Sequence, residues 1–247
     1  MSGIAETFNE NAKKYSAYRP GYPLSIRDEI VKETGLGKNC RILEIGSGTG
    51  QATGFFQSLN PIQTCLEPGD NLIAACRARF PGYEFVCSRY EDYEVAPSTF
   101  NLIYAATAFH WLERDTRYEK SASLLKPNSN LVVMTDRHVK NLDGFFEEVN
   151  EIYDRLAPNI YSPFHQAEPG LEERNPLTVV YESETERELS YTSDEYIGLL
   201  HTFSGHIALG KERLARLCSS IHDLIEHAYK GKIEKTMTTY LTIYKNT

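Results

Sequence analysis

The chain has 247 residues, of which 41% are hydrophobic and 24% charged, a composition typical of a soluble globular protein with one large α/β domain or two small ones. Its formal charge of −8 comes without any run of Lys or Arg, which argues against a surface for nucleic acid or for an anionic membrane. Because the first 16 residues lack an apolar signal region and no long apolar stretch follows, we expect a cytoplasmic protein with no membrane partner.

The N-terminal stretch YSAYRPGYP, residues 15–23, is predicted to be an extended segment leading into a helix over LSIRDEIVKETG. Pro20 and Pro23 disfavour helical backbone at the residues that precede them. A rigid lead into the helix would explain the prolines. It would not explain three tyrosines and one arginine within eight residues, so we expect residues 15–23 to be an extended segment that presents these side chains.

Between residues 40 and 136, short strand-like runs alternate with helix-like runs. The strands are predicted at CRILEIG, IQTCLEP, YEFVC, FNLIYAA and NLVVMTD, and the helices at QATGFFQSL, NLIAACRARF and RYEKSASLL, the last followed by the turn KPNSN. This alternation predicts a parallel, doubly wound sheet with helices on both faces. Ligands of such sheets bind outside the carboxyl ends of the strands.

The loop after the first strand reads LEIGSGTGQ, with Glu44 followed by Gly46, Gly48 and Gly50. Glycines allow backbone angles closed to other residues, and the next helix would offer free N–H groups to a nucleotide-like ligand. The dinucleotide pattern G-x-G-x-x-G does not fit, since Gln51 stands at the sixth position counted from Gly46. This departure favours a ligand with an ammonium group and no pyrophosphate. A tight strand-to-helix turn without a ligand is the alternative.

Glu67 ends the second strand, 21 residues after Gly46, where its carboxylate would accept hydrogen bonds from both hydroxyls of a ribose. The alternative is an acidic residue at a helix entry, EPGDN, favoured by the helix dipole. Together, the glycines and Glu67 predict a nucleoside-containing cofactor.

After Asp136 the alternation ends. Helices are predicted at LDGFFEEVNEIYDRL, at YIGLLHTF behind a capping box from Thr192 to Glu195, and at LARLCSSIHDLIEHAYK. A loop is predicted at 157–176, and strands at VVYESETERELSYT and TMTTYLTIYK. The cysteines are odd in number and have no C-x-x-C spacing, so neither a metal site nor a disulfide is predicted for Cys40, Cys65, Cys76, Cys87 and Cys218.

These features resemble the class I S-adenosylmethionine-dependent methyltransferases, particularly the small-molecule branch of trans-aconitate methyltransferase-like proteins. The matching segments are LEIGSGTG, Glu67, SRYEDY, FNLIYAATAFHWL, LLKPNSNLVV, YRPGYP and, more weakly, SDEYIGLLHTFS. The resemblance is specific for the cofactor, S-adenosyl-L-methionine, and not for the acceptor. It implies a Rossmann-like, mostly parallel seven-stranded sheet with a helical cap, and a final strand that is antiparallel.

Carried over by position, the resemblance assigns the cofactor site. The loop would border the methionine part, with Glu44 as an anchor behind it, Glu67 would bind the ribose, Tyr90 and Glu91 would lie near the adenine, and the tip of the fourth strand would meet the amino group. The implied cofactor-binding residues are Glu44, Gly46, Ser47, Gly48, Thr49, Gly50, Glu67, Pro68, Tyr90, Glu91, Ala105, Ala106 and Thr107.

The implied substrate side comprises an aromatic lid and the pair that follows the fourth strand, namely Tyr15, Tyr18, Arg19, Tyr22, His110 and Trp111. Arg19 would hold a carboxylate through two hydrogen bonds or, alternatively, bind a backbone carbonyl. Trp111 would form a wall of the substrate site or pack in the core. His110 is the candidate catalytic residue, as a proton acceptor or as a substrate contact.

We therefore expect a single domain over 1–247, with a lid at 1–25, a cofactor-binding core at 40–136, a cap at 137–215, and a last helix and edge strand at 216–247. The expected activity is methyl transfer to a small molecule. A carboxylate is the preferred acceptor, ahead of a phenol or an amine. A non-catalytic S-adenosylmethionine-binding protein and a nicotinamide-linked oxidoreductase are the alternatives. The sequence does not indicate the oligomeric state.

Overall fold

The computed structural model of the protein describes residues 12–138, 144–158, 160 and 174–247. Most of the loop predicted at 157–176 and the first part of the predicted lid lie outside these residues. The strands are β1 (Arg41–Ile45), β2 (Ile62–Leu66), β3 (Glu84–Val86), β4 (Phe100–Ala106), β5 (Leu125–His138), β6 (Thr178–Thr192) and β7 (Lys232–Lys245). The described helices are α1 (Ala12–Tyr18), α2 (Leu24–Thr34), α3 (Asp70–Arg79), α4 (Arg117–Leu124), α5 (Phe145–Leu156), α6 (Ser193–Leu200), α7 (Ser204–Ile207) and α8 (Lys211–Ala228).

The seven strands form one mostly parallel sheet in the order β3-β2-β1-β4-β5-β7-β6. At its centre, β1 pairs in parallel with β2 and with β4, so that Ile45 lies opposite both Leu66 and Ala105. Three strands therefore end side by side. The segments that follow them contain the glycine-rich loop, Glu67 and Thr107. The predicted cofactor residues therefore lie together at the carboxyl ends of the three central strands.

Alternate residues of the central strands pack on opposite faces of the sheet. Ile42 and Tyr104 belong to a buried apolar cluster with Ile26 of α2, whereas Leu43 belongs to another cluster with Leu124 of α4. All of these side chains are less than 5% exposed. The predicted doubly wound sheet with helices on both faces is confirmed.

Three local predictions are wrong. The helix predicted for QATGFFQSL is a series of turns ending in a short 3-10 helix at Gln57–Leu59. Gly54 interrupts that stretch, and a Cβ atom there would lie 3.0 Å from the ring of Phe80. Tyr15 and Tyr18, predicted to be extended, are helical in α1, and the extended backbone begins only beyond that helix.

The third correction concerns KPNSN, which lies within β5 instead of forming a separate turn before it. The strand is irregular there, because its register against β4 shifts between Phe100 and Leu102. Asn128 adopts a left-handed backbone with φ 63°. A left-handed residue within a strand accommodates the extra residues that the sequence pattern shows as a turn.

The chain divides into two compact units. Unit 1 comprises the described residues within Met1–Arg19, His138–Leu171 and Glu186–Thr238, and unit 2 those within Pro20–Arg137, Glu172–Thr185 and Thr239–Thr247. Unit 2 contains the glycine-rich loop, Glu67 and the two buried clusters described above. The second part of the chain thus does not form a unit of its own, since segments of it return to unit 2.

The core of unit 1 is built from the apolar faces of α5 and α8, with Val149 and Ile152 from the first helix and Leu217 and Ile221 from the second. The capping box predicted at Thr192 is confirmed, and it starts α6. Gly198 of α6 has no side chain at a point where a Cβ atom would lie 2.5 Å from the ring of Tyr18, so α1 and α6 pack closely. No helix in the described parts of the chain has the length and apolarity of a bilayer span.

Candidate functional site

The glycine-rich loop after β1 is a tight turn tied to the end of β2. The backbone N–H groups of Gly46 and Ser47 donate to the carbonyl oxygen of Leu66 at 2.8 and 3.1 Å. Gly46, Gly48 and Gly50 have φ angles of 67°, 54° and 93°, in the left-handed region that favours glycine. The sequence pattern thus has a direct conformational cause.

Two of these glycines are required by packing within the chain. A Cβ atom on Gly46 would lie 2.5 Å from the Cβ of Ala108, and one on Gly50 would lie 2.8 Å from the ring of Phe80. Arg79 also holds the loop, because its Nη1 donates to the carbonyl oxygen of Thr49 at 2.5 Å. The shape of the loop is therefore fixed by the protein itself, and the glycines alone do not demonstrate a ligand.

Glu67 connects this loop to the start of α3. Its Oε2 accepts the backbone N–H of Gly48 at 3.0 Å, and its Oε1 accepts that of Gly69, the N-cap of α3, also at 3.0 Å. The side chain is buried, and burial raises its pKa, an effect that the two N–H donors oppose. Both interpretations of Glu67 have a geometric basis, because the carboxylate holds the helix entry and faces the loop.

The carboxylate of Glu67 retains capacity for further hydrogen bonds. Two carboxylate oxygens offer about four acceptor positions, and the backbone donors of Gly48 and Gly69 use two of them. Two acceptor positions match the two hydroxyls of a ribose. The donor and acceptor set beside the loop therefore fits the nucleoside part of S-adenosylmethionine.

Glu44 lies behind the loop and is almost fully buried, with 1% of its surface exposed. Its Oε2 accepts hydrogen bonds from Thr53 Oγ1 at 2.7 Å and from Gln63 Nε2 at 3.2 Å. Burial raises the pKa of Glu44 to about 7, although these donors act in the opposite direction. The carboxyl group links β1 to β2 and to the turns that follow the loop, a contact consistent with an anchoring role.

Sequence reasoning missed the two partners of Glu44. Gln63 is a buried amide in the central strand β2, and it also donates to the hydroxyl oxygen of Tyr104 at 3.0 Å. A polar side chain in the inward-facing register of a central strand was the signal that would have identified this network.

The end of β4 brings Tyr22 next to the predicted cofactor residues. The hydroxyl groups of Tyr22 and Thr107 are 2.5 Å apart, and Thr107 Oγ1 also accepts the backbone N–H of Asp136 at 3.2 Å. Thr107 has φ 53°, and Ala105, two residues earlier, is fully buried. Among the predicted lid residues, Tyr22 belongs to unit 2 and lies beside the end of β4.

The pair His110–Trp111 belongs to a 3-10 helix, Phe109–Trp111, directly after β4. Phe109 is buried and packs on Tyr118, with ring centroids 5.0 Å apart. His110 is exposed, and Trp111 is 39% exposed, with the two ring centroids 4.9 Å apart. The alternative that Trp111 packs in the core is wrong, and its role as a wall of a substrate site stays a prediction.

The side chains of the predicted adenine residues contact the protein. Tyr90 is buried, with its hydroxyl 2.9 Å from Ser121 Oγ. Glu91 accepts the backbone N–H of Glu113 at 3.0 Å and lies 3.3 Å from Arg89 Nε. An adenine contact at this position would therefore use the backbone.

The other lid residues, Tyr15, Tyr18 and Arg19, belong to unit 1. Arg19 donates from Nη2 to the carbonyl oxygen of Thr202 at 3.1 Å, which is the backbone-carbonyl contact considered as one alternative. No cluster of three or more His, Cys, Asp or Glu side chains suitable for a metal ion occurs among the described residues.

Comparison with known proteins identifies the domain. Residues 42–128, which include β1, the loop, Glu67 and β4, match the family described as "Methyltransferase domain". This part of the chain therefore carries a methyltransferase domain. The cofactor of the domain is S-adenosylmethionine. The assignment of residues 40–136 as its binding core stays a prediction.

Two curated relatives agree with this identification. An uncharacterized methyltransferase-like protein of Schizosaccharomyces pombe is 26% identical over 161 residues, which are 64% of this chain and 62% of that protein. A "Probable S-adenosylmethionine-dependent methyltransferase" of Saccharomyces cerevisiae is 25% identical over 126 residues, 48% of this chain and 43% of that protein. The matches thus span less than two thirds of the length of both relatives.

A solved structure from Anaeromyxobacter dehalogenans, assigned to the type II methyltransferases, has the same fold. It superposes with a TM-score of 0.64 at 20% identity, covering 92% of this chain and 97% of that one. The agreement extends the fold beyond the matched domain to nearly the whole chain.

Replacement of Glu67 by alanine is expected to weaken S-adenosylmethionine binding by about 2 kcal/mol, since hydrogen bonds to a charged acceptor contribute about 1.5 to 3 kcal/mol. Isothermal titration measures the change. Glu94→Ala, at an exposed glutamate of unit 2, is the control and should bind as the unsubstituted protein does. An unchanged dissociation constant in Glu67→Ala would leave this residue with the helix-entry role alone.

Proposed function

We propose that the protein transfers the methyl group of S-adenosylmethionine to a small-molecule acceptor, as do trans-aconitate methyltransferase-like enzymes, and that the acceptor atom is a carboxylate oxygen. The observation that carries the proposal is the position of Glu67, which faces the glycine-rich loop at 3.0 Å and retains acceptor positions for a ribose. S-adenosylmethionine supplies an electrophilic methyl group on a positively charged sulfur.

The residues of the chain need to do little covalent chemistry for this reaction. Holding an acceptor in line with the methyl group and excluding water lower the barrier by several kcal/mol. A carboxylate is already deprotonated at neutral pH, so its oxygen attacks the methyl carbon while the carbon–sulfur bond breaks, and no proton is transferred. A phenol or an amine would need a base, and His110 is the candidate for it.

Charge and cysteine chemistry support a small-molecule enzyme of the cytoplasm. The net charge of −8 disfavours nucleic acid as a substrate. All five cysteines are free thiols, a state typical of proteins that remain in a reducing compartment.

Release of S-adenosylhomocysteine over a panel of metabolites tests the proposal. Turnover on a carboxylate would support it and identify the substrate, whereas turnover only on a phenol or an amine would contradict the carboxylate assignment. Binding of S-adenosylmethionine without turnover on any compound would indicate a non-catalytic binding protein. Tight binding of NADH without binding of S-adenosylmethionine would contradict the proposal altogether.

His110→Gln is expected to keep at least about a tenth of the turnover on a carboxylate acceptor, because loss of general base catalysis costs a factor of about 100 to 10,000 only where a proton must be removed. Steady-state assay of S-adenosylhomocysteine release measures this. His222→Gln, at a partly exposed histidine of α8, is the matched control. An inactive His110→Gln variant together with a phenol or an amine as the best acceptor would make His110 the base.

A further inference from the structure

Unit 1 holds three basic side chains, Arg19, His206 and Lys235, which we call the basic cluster. None of them has a carboxylate partner among the ion pairs of the described residues. They come from distant parts of the sequence, with Arg19 directly after α1, His206 in α7 and Lys235 in β7. Three distant parts of the chain therefore each contribute a basic side chain to this unit.

Arg19 is held with part of its hydrogen-bonding capacity unused. Its guanidinium carbon lies 4.4 Å from the ring centroid of Phe203 and 5.0 Å from that of Tyr15, so the group is placed between two aromatic rings. Nη2 donates to Thr202, but Nε is buried and has no hydrogen-bond partner. A buried donor without a partner costs about 1 to 3 kcal/mol, which a bound acceptor would offset.

Lys235 is buried in β7, at a position where the alternation along the strand predicts an apolar residue. Ile233, Lys235 and Met237 alternate along β7, and all three are at most 8% exposed. The ammonium group lies 5.4 and 5.6 Å from the ring centroids of Phe146 and Tyr196. Burial and the positive charge of Arg19 lower the pKa of Lys235 to about 8, so Arg19 and Lys235 act on the same local environment.

His206 completes the cluster. Its Nε2 is 2.8 Å from the hydroxyl of Tyr153, and its ring is 5.4 Å from that of Phe203, which also contacts Arg19. Burial and, to a lesser extent, the charges of Lys235, His201 and Arg19 together lower the pKa of His206 to about 4. The groups around His206 thus repel an added positive charge, and this environment favours an anion.

Aromatic rings alone do not explain this arrangement. A cation–π contact contributes about 0.5 to 2 kcal/mol, whereas removing an ammonium group from water costs several kcal/mol. A strand that needed only packing would have an apolar residue in place of Lys235. Uncompensated charge of one sign in a buried position is typical of a ligand site.

We propose that the basic cluster is a binding site for the carboxylate of a small organic acid, with Arg19 Nε and Lys235 Nζ as the donors. This site lies within unit 1, and the proposal does not depend on which molecule accepts the methyl group.

Isothermal titration of the full chain with succinate, citrate and propionate, each with and without S-adenosylhomocysteine, tests the proposal. Diethyl succinate, which has no charge, and inorganic phosphate are the comparison compounds. We expect at least one carboxylate to bind and the diester not to bind. Lys235→Met and Arg19→Gln should each weaken carboxylate binding at least about tenfold, as expected for hydrogen bonds to charged groups.

The matched control is Lys232→Met, at an exposed lysine of the same strand, which should bind the carboxylate as before. Lys235→Met should also raise the melting temperature of the ligand-free protein, because it removes a buried charge that lacks a counter-ion. Arg19→Lys, which keeps the charge but not the planar fork, should bind more weakly than the unsubstituted protein. Lower binding with a higher melting temperature is a result that simple loss of structure would not give.

Absence of carboxylate binding, or equal binding by Lys235→Met, would overturn the proposal. Methyl transfer to a carboxylate acceptor, with no carboxylate binding that Lys235→Met weakens, would refute the basic cluster as a site and leave the proposed function intact. Carboxylate binding that is lost in Lys235→Met, without turnover of any acceptor, would establish the site and refute the proposed function.

Discussion

Gly48→Val is expected to reduce the affinity for S-adenosylmethionine at least about 100-fold, a loss of nearly 3 kcal/mol, while the chain stays folded. Gly48 has φ 54°, and its N–H donates to Glu67 Oε2, so a branched side chain would strain the loop at the point where it meets Glu67, the predicted ribose acceptor. The side chain would also occupy space that the ligand needs in order to approach the backbone. Isothermal titration measures the affinity.

Gly35→Val is the matched control for backbone strain. Gly35 ends α2 with φ 65°, and no atom outside its chain neighbours lies within 4 Å of a Cβ atom placed on it. Left-handed backbone costs a residue with a side chain about 1 to 2 kcal/mol, so both variants should melt at a similar, slightly lowered temperature. If Gly35→Val binds normally and Gly48→Val does not, the loss is local. Retained binding in Gly48→Val would contradict the assignment of the loop.

The central fold could be predicted because burial and periodicity agree there. FNLIYAA is a strand at Phe100–Ala106 without any shift, and its residues alternate between two apolar clusters, as Tyr104 and Ile103 show. Every residue of such a strand is buried on one face of the sheet or the other. A short run of apolar residues is therefore sufficient to predict the strand. The capping box at Thr192 was predictable for the same reason, since both hydrogen bonds are local.

The turn region after the loop could not be predicted because long-range packing overrides the local pattern. Phe55 and Phe56 are both buried, and the ring centroid of Phe55 lies 6.0 Å from that of Tyr22. Phe56 packs on Tyr104, with ring centroids 5.4 Å apart. The apolar residues of this stretch do recur at helical spacing. Phe56 nevertheless packs on a strand of the sheet, and the backbone forms turns instead of a helix.

The candidate site was predictable where a residue follows a strand. Glu67 and Gly48 lie where parallel strands end side by side, so their proximity follows from the topology. The basic cluster was not identified from the sequence, because Arg19, His206 and Lys235 are far apart along the chain. Lys235 alone gave a signal, as a charged residue between Ile233 and Met237 in the inward-facing register of a strand.

Glu44→Gln is expected to stabilise the protein at alkaline pH by about 3 kcal/mol. Burial raises the pKa of Glu44 in the folded chain to about 7 from an ordinary value of 4.5, and each unit of difference corresponds to about 1.4 kcal/mol. The folded state therefore binds the proton more tightly than the unfolded state, and the free energy of unfolding falls as the pH rises from 4.5 to 7. Above pH 7 the full cost of the buried charge remains.

Glutamine keeps the shape of the side chain and an oxygen that can accept the hydrogen bond from Thr53 without carrying the charge. Denaturant unfolding at pH 4.5, 6, 7 and 8 should give nearly equal free energies for Glu44→Gln and the unsubstituted protein at the lowest pH. The advantage of the variant should then grow and become constant above pH 7. Glu234→Gln, at an exposed glutamate of β7, should show no such trend. A difference between Glu44→Gln and the unsubstituted protein that is independent of pH would mean that Glu44 is ionised throughout, and that the donors from Thr53 and Gln63 outweigh its burial.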